Sequence, residues 1–145
     1  MRAVGIILAG GNSNKMRELT HKRAVAAMPI AGSYRAIDFA LSNMSNSHIQ
    51  KVAVLTQYNA RSLNEHLNSS KWWDFGRKQG GLYVFTPTIT AENGYWYRGT
   101  ADAIYQNLDF LKRCHEPYVI ITSGDAVYKI CLLYTSPSPR DLSTS

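Results

Sequence analysis

The sequence predicts an α/β domain with a mostly parallel sheet that carries helices on both faces. Two segments, residues 3–9 and 118–122, are continuous runs of apolar, β-branched residues closed by glycine, which is typical of fully buried strands. Such strands belong to parallel sheets that are covered on both sides. Segments with helical periodicity lie between the strands, and this alternation indicates the α/β class.

The individual elements follow from periodicity and from start signals. The predicted strands cover residues 3–9, 51–56, 82–86 and 118–122. The predicted helices cover about 33–46, 59–67 and 100–112. In the first helix Ile37, Leu41 and Met44 share one face, and Gly32-Ser33 is its start signal. In the last helix Thr100 is the expected N-cap.

Composition narrows the class of protein. The chain has 145 residues, of which 45% are hydrophobic and 18% charged, as expected of one soluble domain. No apolar stretch approaches the roughly 20 residues that cross a bilayer, so we expect no membrane association. The apolar run of residues 3–9 ends in Gly10-Gly11 with no cleavage site, unlike a signal peptide. Two cysteines are too few for a disulfide framework, which fits a reducing, cytoplasmic location.

The positive charge is concentrated in the first part of the chain. Sixteen Lys and Arg residues oppose ten Asp and Glu residues, giving a net charge of +6. The whole excess lies before residue 62, where eight basic residues oppose two acidic ones. This distribution predicts a polyanionic ligand, either a nucleoside triphosphate or a nucleic acid.

Two positions at the ends of predicted strands could carry phosphate chemistry. Gly10-Gly11 follows the first strand and precedes a basic loop, an arrangement that lets backbone amides approach phosphate oxygens. Asp125 follows the last strand, at the carboxyl edge where parallel sheets bind ligands, and a carboxylate there can hold Mg²⁺. The alternatives are a tight turn for the glycines and a turn or helix cap for Asp125.

Aromatic residues 95–97 precede Arg98-Gly99-Thr100. They could stack on a base, or they could fill the edge of the core, and the sequence alone favours neither.

Several motifs, in the same order, resemble the sugar-nucleotide pyrophosphorylases and, within them, the glucose-1-phosphate adenylyltransferase family. The resemblance covers residues 2–130. The matching segments are Leu8-Ala9-Gly10-Gly11, Lys22-Arg23-Ala24, Tyr34-Arg35-Ala36-Ile37-Asp38-Phe39, Thr56-Gln57-Tyr58, Trp96-Tyr97-Arg98-Gly99-Thr100 and Gly124-Asp125.

The resemblance implies a Rossmann-like nucleotidyltransferase domain that transfers AMP from ATP to glucose 1-phosphate and releases pyrophosphate, with Mg²⁺ as cofactor. Such a reaction depends on positioning and on neutralising the charge of the phosphates. The residues that the resemblance assigns to the site are Leu8, Ala9, Gly10, Gly11, Gly99 and Thr100 for the nucleotide, Lys15 and Arg23 as catalytic cations, Asp125 for the metal, and Gln57 as a candidate for allosteric coupling. For Gln57 a simple turn is the alternative.

The chain departs from the family pattern in three segments of the implied site. Ser13 and Lys15 replace a glycine and an arginine, Val25 replaces a lysine, and Ala126 replaces a histidine. Lysine lacks the planar fork with which arginine grips two oxygens. Val25 carries no charge, and losing a preorganised charge costs about 3 kcal/mol of transition-state stabilisation. The resemblance thus implies a catalytically degenerate, regulatory subunit, of the kind found chiefly in Firmicutes, in a hetero-oligomer, a tetramer, with a homologous catalytic subunit.

Two alternatives to this interpretation exist. The chain could belong to an active adenylyltransferase in which Lys15, with Lys22 or Arg23, takes over the triphosphate. A nucleic-acid-binding module would also fit the charge, but the basic residues lie in a loop rather than along a groove-reading helix, so we expect no nucleic acid partner.

Family members are several times longer than this chain. The resemblance therefore identifies residues 1–130 as a truncated, N-terminal part of the nucleotidyltransferase domain. A sheet that stops after the strand at 118–122 should expose an apolar face and an unpaired edge. Residues 131–145 are rich in Ser, Thr and Pro, and we expect them to be a disordered or non-native tail.

Overall fold

The computed structural model describes residues 2–11, 16, 18, 22–69, 73, 75, 81–87 and 96–135. Its strands are β1 (Ala3–Leu8), β2 (Pro29–Ile30), β3 (Tyr34–Arg35), β4 (Lys51–Leu55), β5 (Gly81–Phe85) and β6 (Tyr118–Ser123). Its α-helices are α1 (Ala36–Asn46), α2 (Ala60–Ser69), α3 (Thr100–Gln106), α4 (Leu108–Arg113) and α5 (Leu132–Thr135). Strands β5, β4, β1 and β6 form, in that spatial order, one fully parallel sheet.

Helices cover both faces of this sheet, which confirms the predicted α/β architecture. Alternate residues of β1 separate the two faces, because successive side chains of a strand point in opposite directions. Ile7 packs into a core cluster with Leu41 of α1 and Leu63 of α2. Ile6 packs into a second cluster, to which α3 contributes Ala103 and α4 contributes Leu111.

The first predicted helix begins later than the sequence suggested. The Gly32-Ser33 signal, assigned to a helix start, instead lies in the turn of an antiparallel hairpin formed by β2 and β3, and Gly32 has a positive φ of 90° there. Helix α1 begins at Ala36 because the Asp38 carboxylate accepts a hydrogen bond from the Arg35 backbone N–H at 2.9 Å.

The helix predicted over residues 100–112 is interrupted. It forms two short helices, α3 and α4, that meet at Asn107, whose φ of −107° and ψ of 16° are not helical. The N-cap of α3 is Gly99 rather than Thr100, which is already the first helical residue. Ala103 is buried in the second core cluster, and Ile104 packs against it.

The prediction that the last strand is fully buried is wrong for one of its faces. Ile120 of β6 packs on the first core cluster, but Val119 and Ile121 are 44% and 50% exposed. Strand β6 is the outermost strand on its side of the described sheet, and no described helix lies over these two side chains. The exposed apolar face and open edge agree with the expectation for a sheet that stops at this strand.

The segment after β6 returns to helix α1. The Asn43 side chain donates to the Tyr128 carbonyl at 3.0 Å and accepts from the Ile130 backbone N–H at 3.2 Å. The predicted tail of residues 131–145 begins with α5, where the Leu132 backbone N–H donates to Ser47 Oγ at 3.1 Å. Residues 136–145 lie outside the described residues. None of the helices in the described part of the chain is long and apolar enough to cross a membrane.

Candidate functional site

The strand order places a crevice between β1 and β6. The chain leaves β1 and returns through α1 to β4 on one side, whereas it leaves β5 and crosses through α3 and α4 to β6 on the other side. The strand order therefore reverses its direction at β1, which has β4 on one side and β6 on the other. Ligands of open α/β sheets bind at such a topological switch point.

The loops at this crevice contain predicted site residues. Gly10 and Gly11 follow β1, and Gly124 and Asp125 follow β6. The backbone N–H of Gly124 donates to the Leu8 carbonyl at 2.9 Å, which holds the two loops side by side.

Leu8 and Ala9 lie at the carboxyl end of β1, next to the crevice, and their side chains pack in the core. Ala9 is buried and its backbone N–H donates to the Leu55 carbonyl at 2.8 Å, whereas the half-buried Leu8 packs against the second core cluster. Their side chains belong to the core, so any contribution to a ligand comes from the backbone.

The four glycines around the crevice have different surroundings. Among the described residues, none would lie within 4 Å of a Cβ atom on Gly11 or on Gly99. A Cβ on Gly10 would lie 3.1 Å from Gln57 Cβ, and one on Gly124 would lie 3.2 Å from Ala26 Cβ. Within the described part of the chain, Gly11 and Gly99 thus leave open space, whereas Gly10 and Gly124 allow close packing.

Gln57 connects the two segments that the sequence assigns to the nucleotide. Its Cβ packs against Gly10, and its Nε2 donates to the Tyr97 carbonyl at 3.4 Å, two residues before Gly99. No pattern in the sequence indicates these contacts, because a Gln-Tyr pair after a strand is also typical of a turn. The allosteric role of Gln57 stays a prediction.

The two described residues of the aromatic segment, Trp96 and Tyr97, lie in different surroundings. Tyr97 is buried in the second core cluster, and its hydroxyl accepts a hydrogen bond from Asn107 Nδ2 at 3.1 Å. Burial raises the pKa of the Tyr97 phenol above its ordinary value. Trp96 is exposed and stacks on Tyr58, with ring centroids 4.8 Å apart. Tyr97 therefore fills the core edge, while Tyr95 lies outside the described residues.

The predicted cations are only partly described. Arg23 is exposed and lies just before a 3-10 turn, Val25–Ala27, in which Val25 is buried. Ala26 of the same turn packs on Gly124, so the turn borders the loop that carries Asp125. Lys15 and Ser13 lie outside the described residues.

Asp125 is exposed at the carboxyl edge of the sheet, as predicted, and Ser123 Oγ is in hydrogen-bond contact with its Oδ1. Within the described ranges no three His, Cys, Asp or Glu side chains cluster as metal ligands. A single carboxylate still fits Mg²⁺, since this ion keeps several waters and is held by one or two carboxylates plus substrate phosphates.

A cavity of about 410 Å³ lies between the β2–β3 hairpin, α1 and α2. His66 Nε2 lies 2.6 Å from Asp38 Oδ1 in its wall, and Trp73 closes one side. None of its described lining residues belongs to the loops that follow β1, β4 or β6. No pattern in the sequence indicates this His-Asp pair, which links α1 to α2.

Comparison with protein families gives one match that spans nearly the whole chain. The family model described as nucleotidyl transferase matches residues 4–135. This range includes all the strands of the parallel sheet and both loops of the crevice.

Curated relatives give a consistent result. A glucose-1-phosphate adenylyltransferase of Clostridium kluyveri is 50% identical over 88% of this chain and 33% of its own length. Proteins of the same name from Clostridium perfringens strain SM101 and from Thermosipho africanus are 48% and 46% identical over 88% of this chain. The chain spans about one third of the length of these curated relatives.

Proposed function

This chain belongs to the nucleotidyl transferase family, and from that premise we propose that it forms the nucleotide-binding part of a glucose-1-phosphate adenylyltransferase. The observation that carries the proposal is the 45 to 50% identity to proteins of that name. The proposed reaction joins ATP and glucose 1-phosphate to give ADP-glucose and pyrophosphate, in a cytoplasmic pathway of glycogen synthesis.

The geometry supports a division of roles around the crevice. The backbone at Gly10 and Gly11 would bind the triphosphate, since no described residue would lie within 4 Å of a Cβ atom on Gly11. Gly99 and Thr100 would border the adenine, and no described residue fills the space over Gly99. Leu8 and Ala9 would keep this part of the backbone in place through the sheet.

Charge neutralisation at the crevice would come from a bound metal ion and from cations of the chain. Asp125 would hold Mg²⁺, which when bound neutralises charge on the phosphates. Arg23, exposed just before the 3-10 turn that borders the Asp125 loop, would supply a cation together with Lys15. These groups would position the α-phosphate for in-line attack by the sugar phosphate.

We further propose that the protein is the regulatory subunit of a hetero-oligomer, with a homologous catalytic subunit as its partner. The support is that Val25, where the family has a lysine, is an uncharged, buried residue beside the loop of Asp125. The alternative is an active subunit in which Lys15, with Lys22 or Arg23, binds the triphosphate, and the exposed positions of Lys22 and Arg23 favour it.

The direct test is an assay of ADP-glucose formation from ATP, glucose 1-phosphate and Mg²⁺. The longest natural form of the protein is measured alone and then with a homologous catalytic subunit. The regulatory proposal expects no turnover alone and a changed rate or effector response of the partner. Turnover alone at a rate comparable to the partner's would support the active alternative, and absence of any effect would contradict both.

A substitution distinguishes the two proposals further. Val25→Lys combined with Lys15→Arg should raise turnover by about a hundredfold in a degenerate subunit, because it restores preorganised charge. The same change should do little in a subunit that is already active. Since Val25 is buried, Val25→Met with Lys15→Arg is the matched control, because it adds length at residue 25 without charge. An equal gain with methionine would show that the gain does not come from a charge at residue 25.

A further inference from the structure

Asn107 lies at the break between α3 and α4 and uses its side-chain amide twice. Asn107 Nδ2 donates to the Ala103 carbonyl at 2.8 Å and to the Tyr97 hydroxyl at 3.1 Å. An asparagine amide nitrogen has two hydrogens, so both of them are occupied.

The first of these bonds replaces a missing backbone bond. In a continuous α-helix the backbone N–H of residue 107 would donate to the carbonyl of Ala103. Here the Asn107 backbone N–H donates to Ile104 at 3.1 Å instead, and the side chain satisfies Ala103. The Ala103 carbonyl therefore keeps a hydrogen-bond donor despite the break. The second hydrogen of the Asn107 amide is directed at the Tyr97 hydroxyl.

Tyr97 joins this break to the crevice. Its ring is buried with Ile6 and Leu55, and its carbonyl accepts the hydrogen bond from Gln57. Arg98, the next residue, donates its backbone N–H to Asp102 Oδ2 at 2.9 Å. The backbone that leads to Gly99 is thus fixed by Tyr97 on one side and by Asp102 on the other.

We propose that Asn107 is a positioning residue for a bound nucleotide: by holding the Tyr97 hydroxyl, it sets the place of Gly99 and Thr100 opposite the Gly10–Gly11 loop. Asn107 touches no ligand itself. The inference rests on the proposed function, since it requires an adenine nucleotide between these two segments. Asparagine is suited to the task because aspartate lacks the two donors and leucine lacks any.

The test is a double-mutant cycle of Asn107→Ala and Tyr97→Phe in the longest natural form of the protein. Dissociation constants are measured by calorimetry for ATP with Mg²⁺ and for pyrophosphate with Mg²⁺. Tyr97→Phe removes the hydroxyl but keeps the buried ring and the bond from Asn107 to Ala103. Each variant should weaken ATP binding about tenfold, and the double variant should be no weaker, because all three lose the same contact.

Pyrophosphate separates positioning from a general loss of structure. It reaches the Gly10–Gly11 loop but not the segment at Gly99, so all four proteins of the cycle should bind it equally. Glu65→Ala is the control, because this variant also loses one side-chain hydrogen bond, from Arg61 Nε at 3.1 Å, without touching Tyr97 or Asp102. This control should bind ATP as the unchanged protein does.

Each other outcome overturns the inference in a recognisable way. Additive effects of the two substitutions, or equal losses for ATP and pyrophosphate, would show that Asn107 only stabilises the helices. Unchanged ATP binding in every variant would refute the positioning role while leaving the proposed function intact. If the unchanged protein binds neither ATP nor pyrophosphate, the proposed function fails and the inference fails with it.

Discussion

Two glycines at the same edge of the sheet should respond in opposite ways to an added methyl group. A Cβ on Gly124 would lie 3.2 Å from Ala26 Cβ and 3.3 Å from Ala9 Cβ, atoms that cannot move without their backbones. We expect Gly124→Ala to lower the free energy of unfolding by about 1 to 2 kcal/mol. The added methyl group of Gly11→Ala meets no atom of the described residues within 4 Å, so this variant should keep its stability but bind ATP more weakly.

Denaturant unfolding and calorimetric titration of both variants provide the measurements. Each glycine variant is the control for the other. A stable Gly124→Ala protein would show that the loop at Asp125 shifts easily, and unaltered ATP affinity in Gly11→Ala would remove Gly11 from the proposed site.

For single residues, the sequence could predict the position relative to a strand but not the side-chain contacts. Gly10, Gly11 and Asp125 follow apolar strands, so their place at the carboxyl edge follows from parallel pairing alone. The contacts of Gln57 and of Asn107 with Tyr97 depend on how α3 packs across the sheet. No local pattern encodes that packing, and both contacts were missed.

Among the elements, the start of β4 is tied to the loop before β6 by an ion pair. Lys51 Nζ lies 3.2 Å from both carboxylate oxygens of Glu116. Burial is the largest single influence on Glu116 and opposes its ionisation. The hydrogen bond from Lys51, a backbone hydrogen bond and the positive charges of Lys51 and Arg2 together outweigh burial, so the pKa of this carboxyl lies below its ordinary value.

The pair should make the fold sensitive to acid in a defined direction. A carboxyl whose pKa is lowered by folding stabilises the fold when it is ionised, and this contribution is lost as the pH falls below about 4.3. Glu116→Gln should cost about 1 kcal/mol at pH 7, and the difference from the unchanged protein should shrink by pH 3. Urea unfolding at several pH values measures it.

Glu65→Gln is the matched control for this prediction. It breaks the pair with Arg61, whose side chains are 67% and 93% exposed, and such a pair contributes little. If Glu116→Gln lowers the free energy of unfolding by the same amount at every pH, the contribution of the Lys51–Glu116 pair does not depend on ionisation of Glu116.

The elements that the sequence predicted best are those with long apolar runs. β1 and β4 were predicted to within one residue, because their core side chains dominate the pattern. The β2–β3 hairpin has only two residues in each strand, too few to show a period. The sequence pattern did not predict the break at Asn107, because the apolar positions of α3 and α4 continue one helical period across it.

On the scale of the whole molecule, the uncovered face of β6 should govern how the 145-residue chain behaves in solution. Val119 and Ile121 point outward beside an edge with no described partner strand. We expect the chain to self-associate through this face, and Val119→Thr with Ile121→Thr to reduce the association while keeping β-propensity. Sedimentation velocity over a range of concentrations measures the change.

A matched control uses apolar residues of similar exposure outside the sheet. Val127→Thr with Leu133→Thr removes the same kind of surface from the segment after Asp125 and from α5. This variant should associate as the unchanged chain does. An equal reduction in both variants would show that apolar surface in general, and not the β6 face, drives association.

The pairing of β1 with β6 also has a consequence for the order of events during synthesis. Ile6 lies opposite Ile121, so the two walls of the crevice come from distant ends of the chain. β1 can pair with β4 much earlier, since Ile6 also lies opposite Ala53. During translation, the Gly10–Gly11 loop therefore leaves the ribosome before β6 and Asp125 have been synthesised, and it has no Asp125 loop beside it until then. Because closing a longer loop costs more entropy, the crevice is the last part of the sheet to be completed, and a nascent chain has no two-sided site before that point.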